Sequence, residues 1–146
     1  MKKFKFSLNP LLEHRQRIED EKQQALAERT LELKAAQSEL ARLNGEFRRY
    51  SDALRGRHAE LTTEELRAHY AHLEYLDRCT VMQHAAISAR KSAVDRARVD
   101  LMAASKDRKV IEKLKDKRFL EHQALEAAFE QKELDDGNGR RQRSSV

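Results

Sequence analysis

Residues 26–54 read LAERTLELKAAQSELARLNGEFRRYSDAL, and large apolar side chains recur in this stretch at every seventh position. Residues spaced by seven lie on one stripe of a supercoiled helix, where they meet the same kind of stripe on a partner helix. The stretch has no proline, and its only glycine is Gly45. The pattern therefore predicts a long coiled-coil helix. Its seam residues are Leu26, Leu33, Leu40, Phe47 and Leu54 on one track and Ala36, Leu43 and Tyr50 on the other.

Capping signals on either side of this stretch predict where two helices begin. Asn9 and Pro10 suit the start of the first helix, because asparagine is a good N-cap and proline fits the first helical position. After Gly56, Thr62 and Glu65 have the spacing of a capping box, which predicts a second start. The second helix has its seam at Leu66, Leu73, Thr80, Ile87, Val94 and Leu101, and its other track at Leu76, Ala97, Ala104, Ile111 and Leu125.

Two such helices joined by a short turn predict an all-α fold. We expect an antiparallel coiled-coil hairpin, since each helix then covers the seam of the other. The predicted elements are a helix over about residues 10–57, a turn at about 57–62 and a helix over about 63–134. We expect one domain over residues 1–136, followed by a disordered basic tail over residues 137–146, because the tail is polar and contains two glycines.

The two predicted helices differ in length, so the second outlasts the first. If the chain is reflected about residue 60, residue 10 pairs with residue 110, and residues 111–134 overhang. The overhang begins in a basic region, because residues 106–118 hold seven basic and three acidic side chains. An uncovered apolar stripe on a charged helix indicates an interface. Two other interpretations stay open: the N-terminal MKKFKFSL folds over the stripe, or the chain dimerises there.

Composition and hydropathy limit the class of protein. Charged residues make up 38% of the chain, and the net charge is +5. High charge leaves disorder open as an alternative, although the regular apolar spacing favours helices. No apolar run has the length of a membrane span or of a signal peptide, so we expect a soluble, cytosolic protein without direct membrane insertion. We expect no nucleic-acid partner, because acidic residues alternate with the basic ones.

No catalytic, metal or cofactor site is expected from the sequence. His69 and His72 lie on one face of the predicted helix, but no further ligands converge there, so surface or seam histidines are the better interpretation. Cys79 lies at a helical position with nothing nearby to lower its pKa, which favours a structural thiol over a nucleophile. A two-helix rod also offers no deep pocket for chemistry, and we therefore predict that the protein is not an enzyme.

Both ends of the chain resemble one known family. The opening KFKFSLNPLLEHRQRIEDE, residues 3–21, is similar to the start of FliJ proteins of the flagellar type III export apparatus. The segment VIEKLKDKRFLEHQALEAAFEQKELDD, residues 110–136, resembles the C-terminal signature of the same family, in which a Glu-Lys-Leu-Lys core precedes a charged helix. The length and the two-helix layout agree as well, so the resemblance covers nearly the whole chain.

The resemblance implies a role in protein export. FliJ-like proteins are coiled-coil hairpins similar to the stalk of rotary ATPases. They are thought to occupy the central pore of the hexameric export ATPase, to promote its assembly and activity, and to contact the cytosolic domain of the export gate protein and the export chaperones. Such a protein is expected at the inner-membrane export apparatus by peripheral association. The alternatives are a generic structural or dimeric coiled coil, a holder of apolar substrates, and the equivalent stalk of a virulence type III secretion system.

The resemblance also implies which residues bind each partner. By analogy with the rotary stalk, the end that carries both termini enters the ATPase ring, where carboxylates in the pore would attract its basic side chains. The opposite tip would then contact the export gate. The expected ring-binding residues are Phe4, Phe6, Leu11, Ile111, Lys113, Leu114, Lys115, Lys117 and Arg118, and the expected gate-binding residues are Tyr50, Tyr70, Leu73 and Tyr75.

Overall fold

The computed structural model describes residues 2–145, and nearly all of them are helical. Helix α1 spans Asn9–Arg57, a single 3-10 turn spans His58–Glu60, and helix α2 spans Thr63–Ser144. Between Lys2 and Ser145 no strand forms. The predicted all-α class with two long helices is therefore confirmed.

The start of each helix has a local cause in the sequence. At α2, the Glu65 backbone N–H donates to Thr62 Oγ1 and the Thr62 backbone N–H donates to Glu65 Oε2, each over 3.2 Å. This reciprocal pair satisfies two N–H groups that the first turn of a helix leaves without partners. At α1, the Asn9 side-chain amide instead donates to Glu13 Oε1 at 3.2 Å, and the backbone N–H of Leu12 donates to the Leu8 carbonyl at 3.0 Å.

Residues 21–101 form one compact unit, in which segments of α1 and α2 contact each other. Gln83 Nε2 donates to the backbone carbonyl of Ala36 at 2.8 Å, and Arg90 Nη1 lies 3.0 Å from Glu32 Oε2. A step forward along α2 thus meets a step backward along α1, which is the contact order of an antiparallel helix pair. Within this unit, the side chains that pack between the helices follow the heptad pattern.

Every buried apolar residue of this unit is a predicted seam residue. Leu76 is the most buried, with 2% of its surface exposed. The polar seam residue Thr80 satisfies its hydroxyl within the helix, by donating to the Leu76 carbonyl at 3.0 Å. Phe47 departs from the prediction, because it remains exposed. The buried seam residues are Leu43, Leu54, Leu76, Ile87, Val94 and Ala97.

The second unit combines the segment up to Asp20 with the segment from Met102 onward. Its buried apolar residues are Phe6, Leu12 and Ala104. The core of this unit is therefore small, and it includes one residue, Phe6, that precedes helix α1. Side chains of α1 and α2 also form ion pairs here, which the next subsection describes.

The predicted end of the second helix near Leu134, and the disordered tail over residues 137–146, are wrong for the described residues. Helix α2 continues to Ser144, and Val146 lies outside the described range. Glycine usually ends a helix by adopting a positive φ angle, and no glycine of residues 2–145 does so. Two interior glycines weaken a helix by about 1 kcal/mol each. Arginines in the last turns oppose this loss, because they interact favourably with the negative end of the helix dipole.

The most buried seam residue provides a test of the helix packing. Replacing Leu76 by Ala should lower the free energy of unfolding by about 2–4 kcal/mol, because it leaves a cavity between α1 and α2. Leu31→Ala is the matched control, since Leu31 is in the same unit and exposed. Urea unfolding followed by far-UV circular dichroism measures both variants. Equal stability of the two variants would contradict the seam described here.

Candidate functional site

The residues before α1 form an arm, Lys2–Leu8, that lies against helix α2. Lysine and phenylalanine alternate in this arm, and successive side chains of an extended segment point to opposite sides. Phe4 packs edge-on against Phe119, with ring centroids 5.3 Å apart and an interplanar angle of 66°. Phe6 is buried, and the Arg118 guanidinium lies over its ring, 5.7 Å from the centroid. The arm thus places its aromatic rings on the helix.

Two basic side chains of α2 make hydrogen bonds where the arm joins α1, one to the arm and one to the first residue of α1. Lys115 Nζ donates to Asn9 Oδ1 at 3.3 Å, and Arg118 Nη1 donates to Ser7 Oγ at 3.3 Å. Lys113 and Lys117, in contrast, are exposed to solvent. Of the four predicted ring-binding cations, Arg118 therefore binds the arm and Lys115 binds the start of α1, while the other two face outward.

The predicted apolar members of the ring-binding end are placed in different ways. Phe4 and Phe6 meet α2 through the arm, whereas Leu11, Ile111 and Leu114 are half-buried in the same unit. None of these five side chains is an exposed apolar anchor. The predicted apolar ring-binding residues are thus used for packing, whereas Lys113 and Lys117 face solvent.

The arm covers only the beginning of the predicted overhang. Phe4 reaches Phe119 and also His122, whose ring centroid is 5.6 Å away. Farther along α2, Leu125 is 72% exposed and Phe129 is 63% exposed. The prediction that everything after Ile111 overhangs is therefore wrong up to about His122, and the alternative that the N-terminus folds over the stripe is correct for that part. The alternation KFKF was the sequence signal for this packing.

An ion-pair cluster between the helices was not predicted. Arg108 donates to Glu19 of α1 and to Glu112 one turn farther along α2. The hydrogen bond that Arg108 donates to Glu19, together with the negative charges of Glu112 and Glu19, raises the pKa of the Arg108 guanidinium. A second pair, Arg15 with Asp107 at 3.1 Å, lies beside it. Arg108 is seven residues after the seam residue Leu101, so the heptad spacing did place it between the helices.

An aromatic cluster lies near the turn, where gate-binding residues were predicted. The Tyr50 hydroxyl is hydrogen-bonded to His69 Nδ1, and the Tyr50 ring lies 4.6 Å from the His72 ring. His72 stacks in turn with Tyr75, with centroids 6.2 Å apart. Tyr50 thus packs against two histidines on the face of α2 that meets α1.

The outer members of this cluster are available to a partner. Tyr75 is 54% exposed and Tyr70 is 50% exposed, whereas Leu73 is half-buried. The Cys79 thiol, one turn farther along α2, raises the pKa of the Tyr75 phenol. The surface around Tyr75 also exposes Met82.

A comparison with protein families matches this arrangement to one of them. The model of the family described as Flagellar FliJ protein matches residues 4–145. The chain belongs to the FliJ family. No curated protein and no solved structure matches the chain.

Family membership confirms the resemblance seen in the terminal motifs. It makes the chain a component of the flagellar export apparatus, which interacts with other components of that apparatus. The family consists of structural, chaperone-like export components and is not known for enzymatic activity. In this FliJ protein, none of the helices described is both long enough and apolar enough to cross a membrane. Residues 2–145 also contain no group of three or more potential metal ligands.

The contact between Phe4 and Phe119 allows a test of the arm in this FliJ protein. Replacing Phe119 by Ala should free the arm and speed tryptic cleavage after Lys5 by about fivefold, since an edge-to-face pair contributes about 1 kcal/mol. The cleaved sequence itself is unchanged in this variant. Phe47→Ala is the control, because it is the same change at an exposed position in the other unit, away from the arm. Mass spectrometry of a digestion time course gives both rates, and equal rates would argue against the docked arm.

Proposed function

We propose that this FliJ protein is a non-enzymatic coiled-coil stalk of the flagellar export apparatus. In this proposal, α1 and α2 form one antiparallel hairpin that binds the central pore of the hexameric export ATPase and promotes its assembly and activity. The match to the family model carries the assignment to the apparatus. The contact order within each unit supports the hairpin, because in both units positions farther along α2 meet positions nearer the start of α1.

The basic end supports the contact with the ATPase. Lys113 and Lys117 face solvent, and the arm adds Lys3 and Lys5, which are also exposed. A cluster of exposed lysines attracts a carboxylate-lined surface at long range, and such attraction favours docking without fixing one orientation. A stalk in a ring needs this property, since it faces several similar subunits. Lys115 and Arg118 contribute indirectly, by binding the start of α1 and the arm.

The aromatic tip supports a contact with the cytosolic domain of the export gate protein. Tyr70 and Tyr75 expose large, rigid side chains, and exposed aromatic residues are enriched at protein interfaces. Tyr50 lies behind Tyr75 and is joined to it through His72, so it would support the surface rather than form it. Binding to export chaperones and peripheral association with the inner membrane follow from the same role.

One alternative function has an observation in its favour. Leu125 and Phe129 are exposed on α2, which would fit a structural coiled coil that dimerises through this face. The stalk of a virulence type III system is the other alternative, and the flagellar description of the matched family favours the flagellar role.

Charge reversal tests the contact with the ATPase. Lys113→Glu with Lys117→Glu should reduce stimulation of the purified export ATPase by roughly tenfold at low salt, because it removes the attraction between the exposed lysines and the pore. Lys115 is left unchanged, since it binds Asn9. The matched control is Lys34→Glu with Lys91→Glu, which makes the same change in net charge at two exposed lysines of the other unit. Full stimulation by the first variant, folded as judged by circular dichroism, would contradict the model.

A substitution at the tip tests the contact with the gate. Tyr75→Ala should weaken binding to the purified cytosolic domain of the gate protein by about tenfold, the usual effect of losing an aromatic anchor. Stimulation of the ATPase should be unchanged. Val99→Ala, also at an exposed position of α2, serves as the control. Equal loss of both activities in Tyr75→Ala would mean that the tip is wrongly assigned.

A further inference from the structure

The exposed part of α2 beyond the arm carries a surface that the proposed function does not use. We name it the distal stripe: Leu125 and Phe129 with the groove between them and the side chains beside them. The groove has a volume of about 530 Å³. It is lined by Lys2, His122, Leu125, Glu126, Phe129, Glu130 and Glu133.

The distal stripe continues the face of α2 that packs against α1. Ala104, Ile111, Arg118 and Leu125 follow one another at steps of seven. Ala104 is buried and Ile111 is half-buried, while Arg118 lies over the arm and Leu125 is exposed. Positions that share a heptad phase present the same geometry to a neighbouring helix. The distal stripe is therefore shaped to receive a helix in the place that α1 occupies earlier along α2.

The second track of the seam shows the same order of contacts along α2. Arg108, Lys115, His122 and Phe129 are also seven residues apart. Arg108 reaches Glu19 of α1, Lys115 reaches the first residue of α1, and His122 meets the ring of Phe4 in the arm. Phe129 is the next position and is 63% exposed. Along both tracks, positions that pack beside α1 are followed by a position at the arm and then by an exposed apolar side chain.

The charge around the distal stripe is acidic, in contrast to the preceding turns of α2. Residues 119–136 contain six acidic residues and one lysine, whereas residues 106–118 contain seven basic and three acidic ones. Glu126 and Glu133 are seven residues apart, so both flank the same side of the distal stripe. Asp135 occupies the heptad position that flanks the opposite side. Acidic side chains that flank a helix-binding seam select basic residues at the facing flanks of the partner.

The chain's own arm shows that this part of α2 accepts basic and apolar groups together. Lys2 lines the groove with Glu126 and Glu130, and Phe4 packs on Phe119 and His122. A second copy of α2 would bring the same acidic flanks against each other, and this repulsion disfavours pairing of two distal stripes. We propose that the distal stripe binds a basic amphipathic helix of a partner protein, by completing the seam that α1 leaves open. This site differs in charge and position from the exposed lysines assigned to the ATPase.

Peptide binding to the full chain tests this proposal. The probe is a fluorescein-labelled helical peptide of about 21 residues, three heptads, with leucine at both seam positions and lysine at the flanks. It should bind saturably in fluorescence anisotropy. A peptide with glutamate in place of lysine, and a scrambled lysine peptide without an apolar stripe, should each bind roughly tenfold more weakly.

Variants of the chain locate the binding. The double substitution Leu125→Ser with Phe129→Ser should weaken binding of the lysine peptide by roughly tenfold, because both apolar contacts are lost. The control Val99→Ser with Met102→Ser, at two exposed positions of α2, should leave binding of the lysine peptide unchanged. Glu126→Lys with Glu133→Lys should reverse the preference, so that the glutamate peptide binds more tightly than the lysine peptide. All of these residues but Glu126 are largely exposed, and circular dichroism checks that each variant is folded.

Three results would overturn the proposal. These are equal binding of the lysine peptide and its scrambled form, no loss with Leu125→Ser and Phe129→Ser, and concentration-dependent dimerisation in sedimentation velocity that those two substitutions abolish. The last result would make a second copy the occupant. ATPase stimulation separates this proposal from the stalk function, since the serine variant should retain the stimulation that charge reversal at Lys113 and Lys117 removes.

Discussion

A pair of helices can bury only the stripe that each presents to the other, and in this protein that stripe is narrow. The buried residues are apolar seam residues together with Phe6 and Leu12, and no polar or charged side chain within residues 2–145 is buried. Because so little surface is removed from water, each seam residue carries a large share of the stability. Side chains outside the seam face solvent and remain available to partners, which suits a component that contacts several other proteins.

The heptad spacing was sufficient to predict the seam of residues 21–101, and the capping box was sufficient to predict where α2 begins. These features depend on residues close in sequence, so local pattern determines them. The arm could not be placed by the same pattern, since its position depends on contacts between Phe4 and Phe119 and between Phe6 and Arg118, more than a hundred residues apart. The heptad phase predicted Leu125 as a seam residue, but the structure leaves it 72% exposed, because phase alone cannot show how far the partner helix reaches.

The end of α2 was predicted wrongly because glycine was given too much weight. Gly137 and Gly139 are followed by Arg140, Arg141 and Arg143, and no proline follows them to stop the helix. The arginines favour the helix electrostatically at its C-terminal end. The consequence is a helix whose charge changes sign twice, from basic around Lys113 to acidic around Glu126 and back to basic at its end. One helix can thus offer different chemistry to different partners along its length.

The connection between the helices is only five residues long, from His58 to Thr62, and this has a consequence for the order of folding. Contacts near the turn join residues close in sequence, such as Tyr50 and His69, which are 19 apart, whereas Arg118 and Ser7 are 111 apart. The entropic cost of closing a loop grows with its length, so the helices should zip from the turn outward. The arm and the basic end then form last and open first, and the region assigned to the ATPase is the one that can rearrange without disturbing the rest.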